Sequence, residues 1–193
     1  MKREKKLLND LKSNKTNMKF AYNILLFIMV TICVGTVGAE LTQTVSTGLA
    51  EWDCSTTAGV FKRSTDCTIS SQIVVTGKLN VTGVPDAQGN LPKIIGGGSN
   101  RLFKVESGGE LVVKYLNLTG GKVHASDKGA CIWMNGVLLL SDAVMSNNRG
   151  AGAGGAIYAN SGAMVTVLRT TFAMNSAGYG GAIWAKTSTV TIK

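Results

Sequence analysis

The chain holds a single histidine, His124, and its eleven acidic residues are spread thinly over 193 positions. A lone loop histidine reads as solvated surface, and no acidic cluster offers ligands to a metal ion. The four cysteines, Cys33, Cys54, Cys67 and Cys131, contain no pair at metal-ligand spacing, so a cysteine-held metal is excluded. Cys33 follows Thr31-Ile32, a poor setting for lipid attachment. Basic residues are also unclustered: the net charge is +9, but a nucleic-acid surface needs lysines and arginines concentrated on one face with aromatics among them. Gly96-Gly97-Gly98 lacks the Lys-Ser/Thr ending and the following helix of a phosphate cradle, and reads as a sharp turn. Neither a cofactor nor a nucleic-acid partner is expected.

What is present begins with an export signal. Seven basic residues (Lys2, Arg3, Lys5, Lys6, Lys12, Lys15, Lys19) and two acidic ones precede an apolar run, Phe20 to Ala39, which ends on Val37-Gly38-Ala39. Residues 1–39 read as a signal peptide cleaved after small residues, with an uncleaved helical signal anchor as the alternative. Either way residues 40 onward lie outside, and the membrane is met only through residues 20–39. This segment carries +5 of the +9, leaving +4 on the exported part.

Residues 40–68, rich in Thr and Ser, read as an N-terminal cap. Outside the cytosol a Cys54–Cys67 disulfide is allowed, and closing its thirteen-residue loop contributes about 3 kcal/mol on the chain-entropy model.

Residues 69–193 repeat. Ile132, Ile157 and Ile183 recur at intervals of 25 and 26, each behind small residues; Gly109, Gly136 and Gly162 recur at 27 and 26. A third column is read as Leu116, Val144 and Phe172, at 28 and 28. Such a period suits one coil of a solenoid, and short β-rich segments bounded by Gly or Asn suit a strand-and-turn coil. Val84 to Asn90 is a loop that lengthens one coil and is a candidate site.

Gly154-Gly155-Ala156-Ile157, Phe172 to Asn175, and Gly180-Gly181-Ala182-Ile183 resemble the GGAI and FxxN pair of polymorphic outer-membrane-protein repeats. The resemblance implies an all-β, right-handed parallel β-helix of the pectin-lyase-like type, here about four to five coils, in a surface-exposed location. Cys131 falls in the column of Ala156 and Ala182, a small buried position.

Several residues are candidates for function. Trp133, Tyr158 and Trp184 follow the inward isoleucines and therefore form an outward aromatic stripe for a carbohydrate or a surface protein. Asn80 and Asn117 head Asn-x-Thr triplets and would carry glycans in a eukaryotic secretory host. Catalysis has little support. Asp86, Asp127 and Asp142 are isolated, Asp142 faces only Thr170 one period on, and the Asn-Thr-Asp, Asp-Asp and His-Gly signatures of hydrolases on this fold are missing. The expected role is a secreted or surface module for adhesion or structure; the alternative is a polysaccharide-active lyase or hydrolase, or part of one. Thr187 to Lys193 alternates to its end with no polar cap, which fits a piece of a longer solenoid or end-to-end pairing of two molecules.

Overall fold

The computed structural model describes residues 48–193 apart from Ala125. The export segment expected at residues 1–39 lies outside them. Among the described residues no helix is long and apolar enough to cross a membrane.

The described chain is a parallel β-solenoid of about five turns with three long sheets. A six-stranded sheet stacks Gly59–Arg63, Lys78–Gly83, Glu110–Lys114, Val137–Ser141, Met164–Leu168 and Thr189–Ile192. A second sheet stacks Ile73–Val75, Phe103–Val105, Ile132–Met134, Ile157–Ala159 and Ile183–Ala185; a third stacks Cys67–Ile69, Lys93–Gly96, Asn117–Thr119, Val144–Ser146 and Thr171–Ala173. Two short strands, Lys122–Val123 and Arg149–Gly150, pair at the corner between the third sheet and the second. One strand of the solenoid, Gly59–Arg63, lies inside the segment read as a cap (40–68), and a second, Cys67–Ile69, begins in it.

Every side-chain column follows from parallel register and the two-residue period of a strand. Ile73, Phe103, Ile132, Ile157 and Ile183 are direct partners on successive rungs of the second sheet. The long sheet adds Leu79–Leu111–Leu138–Val165 and Val81–Val113–Leu140–Val167, all buried. Alternate residues point inward, and each fully buried Ile, Leu or Val contributes roughly 1.5–3 kcal/mol over an exposed position. The first end of this core is closed by Trp52, which is buried and stacks on Phe103 at 6.0 Å. The Cys54–Cys67 disulfide lies next to that plug.

One column departs from its sequence reading. Phe172 pairs with Met145, and Met145 with Leu118, at a spacing of 27; Leu116 and Val144 are not in that column. Met145 and Leu118 are fully buried, whereas Val144 is half-buried on the opposite parity. The same shift of one residue changes the partner of Asp142: the matching slot holds Arg169, not Thr170.

Candidate functional site

The repeat motifs have physical roles that fix the geometry of the side face. Asn148 and Asn175 sit three residues after the inward Met145 and Phe172. Asn175 donates its amide to Met145 O at 2.8 Å and accepts from Asn148 N at 3.1 Å and Asn148 Nδ2 at 2.9 Å. One coil earlier Asn148 donates to Leu118 O at 3.1 Å and accepts from Gly121 N at 2.9 Å. Each asparagine thus ties its coil to the one before, and the spacing of FxxN places the amide over the backbone it bonds. In the glycine motif, Gly154 and Gly180 hold positive φ of 71° and 57°, where an L side chain is strained. A Cβ on Gly155 would stand 2.0 Å from Gly181 O. Gly129 takes the same φ before Ala130-Cys131-Ile132, so that segment is the degenerate copy of the motif. Cys131 is fully buried, and burial pushes its thiol pKa up.

These turns deliver Trp133, Tyr158 and Trp184 to one outward column as register partners. Tyr158 and Trp184 stack at 4.9 Å with planes 6° apart. Lys104, the register partner of Trp133 on the preceding rung, places Nζ 5.2 Å from the Trp133 ring centroid. Lys128 Nζ lies 5.0 Å from the Tyr158 centroid and 3.4 Å from its hydroxyl. Tyr158 is consequently buried, while Trp133 and Trp184 stay half-exposed. The two lysines escape a sequence reading that follows aromatics alone. Lys104 could have been found by stepping one coil back from Trp133, but Lys128 reaches the column from a loop.

The lengthened coil forms a second feature. Its loop, 84–92, and the corner at Ser64 to Asp66 line an open cleft of about 460 Å³ with Asp86, Asn90, Leu91, Pro92 and Lys93. The carboxylates here hold the backbone. Asp86 accepts from Gln88 N, Asn90 N and Asn90 Nδ2, and the Asn90 side chain foremost lowers its pKa. Asp66 Oδ1 accepts from Lys93 N at 2.8 Å.

The remaining candidates are dispersed. Asp142 accepts from Arg169 Nε and Nη2 at 2.6 and 2.8 Å, and Asp127 stands 4.0 Å from Arg101. His124 lies on the loop that ends at Asp127, its carbonyl accepting from Asp127 N. Asn80 is half-buried on the outer row of the long sheet, its Oδ1 enclosed without a partner; Asn117 Oδ1 accepts from Ser146 Oγ at 3.0 Å.

A parallel β-solenoid with a ladder of turn asparagines and a lateral column of aromatic and basic groups is the class this structure defines. Residues 142–160 match the Chlamydia polymorphic membrane protein repeat. The chain therefore carries a repeat of that family within its solenoid, in a window that holds both Met145-to-Asn148 and the Gly154-to-Ile157 turn. That match is consistent with a surface protein. No curated protein and no solved structure matches the chain.

Proposed function

We propose that the chain is a secreted or cell-surface module, a right-handed β-helix that binds a carbohydrate or a surface protein through its side without catalysing a reaction. The observation that carries this reading is the in-register column of Trp133, Tyr158 and Trp184, presented by a polymorphic-membrane-protein type of repeat. An aromatic column anchored on a rigid sheet is a low-entropy contact surface of the kind used in recognition. The basic and apolar residues 1–39 supply the export route, and they anchor the chain if they are not removed.

Asp86 does not fit the proton-donor role that the polysaccharide-cleaving alternative would need at the cleft. Glycoside hydrolysis pairs an ionised carboxylate with one kept protonated by a raised pKa, whereas Asp86 is shifted down and committed to its loop. The test is to display the full chain on a bacterial surface, check protease accessibility on intact cells, and screen it against an array of acidic and neutral glycans. Depolymerisation of the same glycans is assayed with and without calcium. Binding that weakens in Trp133→Ala supports the module. Chain cleavage of any glycan, or intact cells shielding the protein from protease, overturns it.

A further inference from the structure

We propose that the aromatic column with Lys104 and Lys128 is a binding site for a linear polyanionic polysaccharide, one carrying carboxylate or sulfate groups along its length. This rests on the lateral-face reading above and specifies its ligand. Tyr158 and Trp184 are parallel neighbours on adjacent rungs, so their faces turn toward each other along the solenoid axis. A neutral sugar docks against an aromatic face, and here the facing sides of Tyr158 and Trp184 are taken up by their stack and a face of Trp133 by Lys104. Tyr158 is buried, so the rims that remain outward are those of Trp133 and Trp184, and the rim is the positive end of the ring quadrupole.

Cations reinforce that sign. Lys104 sits over Trp133, and Lys128 covers Tyr158 on the next rung. Rungs are about 4.8 Å apart, so the two ammonium groups cap neighbouring rings of the column and set two positive charges along it. Glu106 pairs with Lys104 at 2.6 Å and moderates it; Asp127 is held by Arg101. Among the described residues no carboxylate pairs with Lys128.

A polysaccharide fits better than an acidic peptide. Strands Phe103–Val105, Ile132–Met134 and Ile157–Ala159 are bonded to neighbours on both sides, so no free edge remains there to accept an extended peptide backbone. A polyanionic glycan needs only charge placed along its path, and its attraction to rim lysines is electrostatic and screened by salt.

The experiment measures retention of the full chain on immobilised heparin, on neutral dextran and on poly-glutamate, at low and physiological salt. Heparin retention without dextran retention is expected, weakened about tenfold in the Lys104→Ala/Lys128→Ala pair. Glu106→Gln frees Lys104 and should strengthen retention about twofold, an effect that mere loss of structure would not produce. A Lys62→Ala/Lys93→Ala pair on the other two sheets should change retention little, and thermal unfolding should report all variants folded. Equal loss in that second pair overturns the proposal in favour of net charge. Tighter retention on poly-glutamate overturns it in favour of an acidic protein. Trp133-dependent binding of a neutral glycan alone would also overturn it while leaving the lateral-face reading intact; an array with no bound glycan or protein would remove both.

Discussion

The side-chain amide of Asn148 donates to Oδ1 of Asn175 at 2.9 Å, while its own Oδ1 accepts from Gly121 N one coil below at 2.9 Å. Asn148 is fully buried, so its removal strands a backbone N–H and the Leu118 carbonyl away from water. Each orphaned group costs about 1–3 kcal/mol. Asn148→Ala should therefore lower unfolding stability by roughly 2–6 kcal/mol in a urea titration. The adjacent Asn147 is exposed at φ 54°, a conformation glycine adopts freely, so Asn147→Gly should be neutral or slightly stabilising. Equal losses at both positions would contradict the ladder.

The second glycines of the two motifs, Gly155 and Gly181, differ in what they tolerate. A Cβ at Gly155 would meet Gly181 O at 2.0 Å, while one at Gly181 would meet Asn175 O at 3.2 Å. Gly155→Ala is expected to cost about 3 kcal/mol, at the upper end of overpacking, and Gly181→Ala well under half of that. Thermal unfolding of the two variants side by side checks the order.

Closure of the first coil depends on Trp52 and the Cys54–Cys67 bond. Peptide mapping without reductant should recover the two cysteines joined, with Cys131 free. Cys54→Ser/Cys67→Ser should lose about 3 kcal/mol, and Trp52→Ala about 3–5 kcal/mol. Alkylation of both cysteines without reductant would contradict the closed cap.

Acid should destabilise the fold. Asp53 is lowered by the backbone N–H groups of Thr56 and Ser55, Asp86 by Asn90, and Asp142 by Arg169. Each folded-state pKa lies below its unfolded value near 3.9, so the stability contributed is present above about pH 4 and is lost as pH falls through the folded values. Asp142→Asn keeps the left-handed backbone and removes the ion pair. The variant should be about 0.5–1 kcal/mol less stable at neutral pH, with the gap closing in acid. A gap that is constant with pH would assign the effect to packing.

The isoleucine column, the glycine turns and the aromatic column were legible because each repeats a distinctive residue at a near-constant interval. The third column was misread by one position at Val144 and by two at Leu116; Val144 and Met145 each stand three before an asparagine, Asn147 or Asn148, and only burial distinguishes the two. What selects Asn148 is the reach of its amide to Leu118 O on another coil, which no local pattern encodes. Tyr115 and Arg169 turn the chain at positive φ on the coils either side of Asp142, yet neither is a residue type that announces such a turn. The Lys128 contact was hidden for a similar reason: a loop lysine carries no periodic signal.

Ile132, Ile157 and Ile183 occupy consecutive rungs of one inward column. Methyl-labelled isoleucine NMR tests it without any substitution. Neighbouring rungs are about 4.8 Å apart and alternate rungs about 9.6 Å, so cross-peaks should join Ile132 to Ile157 and Ile157 to Ile183, with none directly from Ile132 to Ile183. Absence of both neighbour cross-peaks, or a direct Ile132–Ile183 contact of equal strength, would contradict the stacked solenoid.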